Sequence, residues 1–230
     1  EGRDRRDVRR LVLTASGGAF RDRDPTTLDT VAPEEALRHP TWEMGAKVTV
    51  DSATLANKAM EVMEAHELFE IPLHAIDVVL HRESVVHGLV EFVDGSCLAH
   101  LSAPTMELPI LYALVYPERV AYPAARLDLA ALGALRFEPL APGRYPMFDL
   151  GLAAARQGGA ARVVYNAANE VAVAAFLEGR LPFPGIARCV AAALERVPPG
   201  PVDTLEAVLT YDREARARTT DLLAEVAARC

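Results

Sequence analysis

Lysine is nearly missing from this sequence: of 24 lysine and arginine residues, only Lys47 and Lys58 are lysine. A chain that uses arginine almost everywhere and keeps two lysines close together points to a place that wants a compact ammonium rather than a planar fork. Other absences exclude whole classes of function. The three cysteines, Cys97, Cys189 and Cys230, are odd in number, far apart and without a CxxC pair. They read as free thiols in a reducing compartment, not as a disulfide framework or a metal ribbon. No apolar run approaches the ~18 residues of a membrane span, and no stretch reads as a signal peptide. Net charge is −8, and no Lys/Arg block stands beside aromatic residues, which excludes nucleic acid and acidic membrane surfaces as partners. There is no GxGxxG fingerprint, no internal repeat and no low-complexity tract. The first residue is Glu1 and a strand pattern starts within ten residues of it, so the chain reads as a piece of something longer.

What is present concentrates in residues 39–69, HPTWEMGAKVTVDSATLANKAMEVMEAHELF. Both lysines, the single tryptophan (Trp42) and three of the five methionines (Met44, Met60, Met63) lie there. The pattern predicts a short β-branched strand at Lys47–Val50, a helix N-cap at Asp51-Ser52 and a helix from Ala53 to about Phe69. Leu55, Ala59, Val62 and His66 would share one helix face, and Asn57, Glu61 and Glu64 the opposite one, with Lys58 on its flank. A helix start with free N–H groups and hydroxyls suits an anion such as phosphate. Glu61, about 6 Å along the axis from Asn57, suits a cation or a proton. An ordinary amphipathic helix with a solvated polar face reads the same way.

Residues 1–10 are charged and read as a solvated linker or frayed end. Val8–Thr14 is a strand running into Ala15-Ser16-Gly17-Gly18, which is either a plain turn or a close approach of backbone N–H groups to a ligand. Residues 20–46 are polar and proline-punctuated, with at most one short helix near 33–38. They read as an active-site lid or as a surface loop pinned by Trp42. Ala75–His81, Ser84–Phe92 and Ser96–Leu101 are three further strands, the last two joined at Asp94-Gly95. His81, His87 and His100 fall on them, either as a three-histidine zinc site or as hydrogen-bonded structural groups. An apolar helix (Ile110–Val115) follows. Residues 116–146, rich in proline, form the clearest linker. Helices are then expected at 147–157, 162–178, 184–197 and 203–228, with a capping box at Asp203–Glu206. The helix 162–178 should be the buried centre of a small bundle. Its polar exceptions Asn166, Asn169 and Glu170 would contact the other domain or satisfy buried loop backbone. The expected fold is α/β (α+β): a catalytic domain (1–115) with a mixed sheet, flanking helices and a lid at about 20–46, then the linker (116–146) and a C-terminal helical bundle (147–230).

The motifs LTASGGAFRD, HPTWEMGAKVTVDSATLANKAMEVMEA, HRESVVHGLVEFVDGSCLAHL and YNAANEVAVAAFL, in this order, resemble those of the 1-deoxy-D-xylulose-5-phosphate reductoisomerase family, from about residue 8 to the end. HPxWxMG followed by VDSATLxNK is the most specific part. The resemblance implies an NADPH-dependent, divalent-metal-dependent (Mg²⁺, Mn²⁺ or Co²⁺) enzyme of the non-mevalonate isoprenoid pathway. The metal would chelate and polarise the substrate's oxygens, the skeleton would rearrange by retro-aldol and aldol steps, and NADPH would deliver hydride. The family's NADPH-binding domain, and the Asp-Ser-Glu motif with two of its three metal carboxylates, are not in this sequence.

By position, the resemblance implies that Glu61 is the third metal carboxylate. It implies that Ser16, Ser52, Asn57 and Lys58 hold the substrate phosphate and that His39 is a lid residue approaching the substrate. Trp42 and Met44 would be the lid's apolar cover, His87 the substrate-side histidine on the sheet, and Met106 a residue against the nicotinamide. Lys58 and His87 would be catalytic together with Glu61, and Met44 and Met106 would serve the cofactor. Ala15 stands where many members have glycine. A cytoplasmic homodimer acting on a small sugar phosphate is implied. The alternatives are a non-catalytic fragment that binds phosphate or serves in assembly, and a metal hydrolase using the sheet histidines.

Overall fold

Val8–Ala15 forms β1, the central strand, and its alternating Leu11 and Leu13 turn one face toward the core. A computed structural model describes residues 5–123 and 126–228 of the chain; Cys230 lies outside them. On one side of β1 runs β2 (Ile76–Leu80), parallel, with Leu11 opposite Ile76 and Leu13 opposite Val78. On the other side runs β3 (Val86–Phe92), antiparallel, followed by β4 (Cys97–Leu101). The β3–β4 connection turns at Gly95, whose φ is 86°, with the Asp94 carboxylate accepting from the Ser96 N–H. A two-residue strand, β5 (Glu138–Pro139), pairs antiparallel with β2, so the order is β4-β3-β1-β2-β5 in a mixed sheet.

The parallel β1–β2 pair requires a crossover. It is built from α1 (Pro33–Ala36), α2 (Ala46–Thr54) and α3 (Ala56–Phe69). Beyond β4 come α4 (Glu107–Val115) and α5 (Leu129–Leu132). The helices α6 (Pro146–Gln157), α7 (Ala160–Leu177), α8 (Phe183–Arg196) and α9 (Leu205–Ala227) follow. α7 packs against α6, α8 and α9 and also touches α2. Val164, Tyr165, Val173, Phe176 and all of its alanines but Ala174 are buried, as expected of a helix at the centre of a bundle.

Several expectations are corrected. The Lys47–Val50 strand does not exist; these residues are the first turns of α2. Thr49 Oγ1 donates back to the Gly45 carbonyl at 3.0 Å, and Lys47 Nζ reaches Asp51 Oδ2 at 2.5 Å with i,i+4 spacing. Both contacts exist only in a helix and outweigh a weak β preference. Asp51 is therefore mid-helix and buried, not an N-cap. Arg9 and Arg10 do not belong to a linker or frayed end: they lie in β1 with side chains still open to solvent, and pair with Glu91, and Arg10 also with Asp77. Helix α9 is capped by Thr204 accepting from the Ala207 N–H, so Asp203 is not the cap. Asn169 satisfies no loop backbone: it bonds Asp51 of α2, while Asn166 and Arg216 both reach Glu170.

Candidate active site

Two chain reversals shape the site. The first is the end of β1. Gly17 and Gly18 have φ of 85° and 69°, in the left-handed region. A Cβ on Gly18 would lie 2.4 Å from the Ser52 carbonyl oxygen, so only glycine allows the turn to sit this close to α2. Tyr145 donates its hydroxyl to the Gly17 carbonyl at 3.1 Å, and the Arg144 guanidinium donates to the carbonyls of Phe20, Arg21 and Arg23. The start of the helical bundle thus clamps this loop.

The second reversal is the break between α2 and α3 at Leu55, whose φ is 57° and whose side chain is buried. Ser52 therefore stands at the end of one helix rather than at the start of another. Asn57 and Lys58 lie in the first turn of α3, where Leu55 supplies no side-chain cap. Backbone N–H groups and the helix dipole there favour an anion. One turn on, the Lys58 ammonium donates to Glu61 Oε2 at 2.6 Å. The Lys58 side chain is mostly enclosed, at 10% exposure, and that of Glu61 is open, at 41%.

These elements bound a cleft of ≈ 460 Å³. All ten residues singled out above line it: Ser16, His39, Trp42, Met44, Ser52, Asn57, Lys58, Glu61, His87 and Met106. Ser16 Oγ and Ser52 Oγ are 3.4 Å apart, and His39 Nε2 lies 2.9 Å from the first and 3.1 Å from the second. His39 Nδ1 accepts from the backbone N–H groups of Thr41 and Trp42. The Trp42 ring faces His87 across the cleft, with centroids 6.4 Å apart. His87 Nε2 is 2.8 Å from Ser102 Oγ. Burial, and then the neighbouring His100, holds the His87 imidazole below its ordinary pKa; burial and then Arg21 do the same to His39.

The three-histidine zinc reading fails on geometry. His81 is fully buried, its Nδ1 lies 2.9 Å from the Arg136 carbonyl, and its Nε2 accepts from the Val85 N–H at 3.3 Å. With both nitrogens taken and the ring stacked on Phe137, His81 cannot ligate a metal. Sequence reading missed Ser102 and Ser84 as cleft residues. Ser84 has φ 52°, and its buried Oγ has no partner. A serine in a strand-turn segment gives no signal of this kind in advance.

Comparison with known proteins agrees with the motifs. The family described as the DXP reductoisomerase C-terminal domain matches residues 101–218, half of the chain. The 1-deoxy-D-xylulose 5-phosphate reductoisomerase C-terminal domain matches residues 1–69. Proteins named 1-deoxy-D-xylulose 5-phosphate reductoisomerase from Cupriavidus necator and Geobacillus kaustophilus are each 50% identical over 224 residues, which is 97% of this chain but 57% and 59% of theirs. The Zymomonas mobilis reductoisomerase in complex with NADPH superposes with a TM-score of 0.88 at 41% identity, over 94% of this chain and 56% of that one. A DOX-P reductoisomerase in complex with NADPH, fosmidomycin and magnesium gives 0.85 at 41% identity, over 95% and 56%. The chain spans just over half the length of the curated relatives it matches. Over that span the agreement in sequence, sheet and helix order makes it a member of the 1-deoxy-D-xylulose 5-phosphate reductoisomerase family.

Proposed function

We propose that this chain is the substrate-holding and C-terminal part of a 1-deoxy-D-xylulose 5-phosphate reductoisomerase. Such an enzyme isomerises and reduces 1-deoxy-D-xylulose 5-phosphate to 2-C-methyl-D-erythritol 4-phosphate with NADPH and a divalent cation. The observation that carries this reading is the meeting of Ser16, Ser52, Asn57 and Lys58 at one cleft from two separate chain reversals. Together they offer two hydroxyls, an amide, an ammonium and a helix N-terminus to one phosphate, the remote handle whose binding energy can close the site. Trp42 and Met44 cover the anion and exclude water. His87, held neutral and tied to Ser102, faces the sugar carbons. Met44 and Met106 give the nicotinamide an apolar surface. In this reading, residues 1–115 act as the catalytic part, 116–146 as the connection and 147–230 as the supporting bundle.

A divalent cation, when bound, supplies Lewis acidity toward the substrate's oxygens. Glu61 fits one ligand position for it. Among the described residues, no three His, Cys, Asp or Glu side chains come together as a metal site. The chain's donors therefore do not complete the coordination a hard cation needs, and no step of the reaction is derived through it. The reading also includes a cytoplasmic homodimer. In its support, β4 is an exposed edge strand and Leu114 and Tyr116, at and just beyond the end of α4, are 79% and 72% exposed.

The test is NADPH oxidation by the chain joined to the upstream segment its relatives carry. Lys58→Ala should lower kcat/KM by about 100-fold or more, and a phosphonate mimic of the substrate should change Trp42 fluorescence. Wild-type turnover in Lys58→Ala and Ser52→Ala would end the reading.

A further inference from the structure

A ring nitrogen of histidine can accept a hydrogen bond only where it carries no hydrogen. On His39 this settles the whole ring. Nδ1 accepts from two backbone N–H groups, Thr41 at 3.1 Å and Trp42 at 2.8 Å. A hydrogen on Nδ1 would point at both donors. The neutral ring therefore carries its hydrogen on Nε2, the atom that lies 2.9 Å from Ser16 Oγ and 3.1 Å from Ser52 Oγ.

We propose that His39 is a positioning residue whose proton is fixed on Nε2 and shared between Ser16 and Ser52, so that the serines become donors toward a phosphoryl anion and the same ring ties that anion to the lid backbone. This deepens the phosphate reading of the cleft and rests on it. Ser16 Oγ also faces the Gly18 N–H at 3.2 Å. With N–H donors on the acceptor sides of both oxygens, and the two oxygens 3.4 Å apart, at least one O–H hydrogen turns into the cleft. An anion accepting from the serines makes their oxygens better acceptors toward Nε2–H, because such chains polarise one another. The ring's far edge then holds Thr41 and Trp42 more firmly. Trp42 is thereby coupled to an anion through one imidazole.

The arrangement also excludes a general base at His39. The lone pair on Nδ1 is engaged by backbone, and Nε2 has none to offer. Arg21, which donates to the Ser16 carbonyl at 3.1 Å, opposes a positive ring, as does burial. The other charged or titratable groups lining the cleft are Lys58, Glu61, Glu43, His81, His87 and His100.

Long-range ¹H–¹⁵N correlation of the histidine rings tests the proposal on the chain as it is, with His39→Gln assigning the signal. His39 should show the Nε2–H tautomer at neutral pH, and inorganic phosphate should shift Nε2 more than Nδ1. By calorimetry, His39→Gln should weaken phosphate binding about tenfold, the loss of one buried hydrogen bond behind the serine donors, and should uncouple Trp42 fluorescence from phosphate. A hydrogen on Nδ1, or an imidazolium at neutral pH, overturns the proposal without touching the phosphate reading. An Nε2–H ring that ignores phosphate, in a chain that does not bind phosphate, overturns both the relay and the anion reading.

Discussion

Asn169, on the central helix of the bundle, donates its side-chain amide to Oδ1 of Asp51, 2.9 Å away on the helix that carries Ser52. The other carboxylate oxygen takes the Lys47 ammonium. Asp51 is 1% exposed and Asn169 fully buried. Burial pushes the Asp51 carboxyl above its ordinary pKa even with these partners. The bundle thus holds the wall of the cleft through one buried polar joint, and its loss is costly because the carboxylate would stay buried with one donor fewer.

Asn169→Ala should therefore destabilise the chain by about 1–3 kcal/mol. Asn169→Asp, which sets a like charge beside Asp51, should cost more. Urea unfolding monitored by circular dichroism measures both. A loss below about 0.5 kcal/mol, the usual scatter of surface changes, in both variants would show that the joint carries little.

His39 and His87 both sit below the ordinary histidine value of 6.5 in the folded chain. A lowered histidine pKa means that the fold favours the neutral ring. Its contribution is present above the unfolded value and is lost as pH falls through the folded one. Stability should accordingly decline as pH falls below the ordinary histidine value of 6.5, and less steeply in His87→Gln than in the parent chain. This window lies above the carboxylate range in which Asp22 and Glu138, held down by Arg82, begin to protonate. Parallel pH profiles for parent and variant would contradict the assignment.

Gly18→Ala should be among the most damaging single-methyl changes. It places a side chain at φ 69° and drives a Cβ to 2.4 Å from backbone of Ser52, which cannot swing aside as a side chain could. Destabilisation of about 2–4 kcal/mol is expected from strain and overpacking together. Gly95→Ala is the control: its φ is also positive, but nothing lies within 4 Å of the added Cβ. Equal thermal midpoints for the two variants would refute the close approach.

Glu61 is opposed by the Lys58 ammonium and has no cluster of further metal donors among the described residues. The chain alone should bind Mn²⁺ more weakly than about 1 mM. Glu61→Gln should abolish what binding there is while leaving the circular dichroism unchanged. Tight binding that survives Glu61→Gln, measured by calorimetry, would place a cation elsewhere on the chain.

The sequence alone determined the strands β1 to β4, the Asp94-Gly95 turn and the helical C-terminal bundle. These follow from local periodicity and turn chemistry, which act over a few residues. It also picked out ten of the residues that line the cleft, since their motifs mark the family, though not Ser84 or Ser102. It did not determine that Lys47–Val50 is helical, because β-branched residues accept either state and the deciding contacts, Thr49 to Gly45 and Lys47 to Asp51, appear only once the helix is formed. Nor could it give the tautomer of His39, the closure of His81 by the Arg136 carbonyl, or the pairing of Asp51 with Asn169, 118 residues away in the chain. Those depend on atoms that only packing brings within 3 Å or so of each other. A hydrogen bond between distant segments leaves no period or spacing in the sequence from which it could be read.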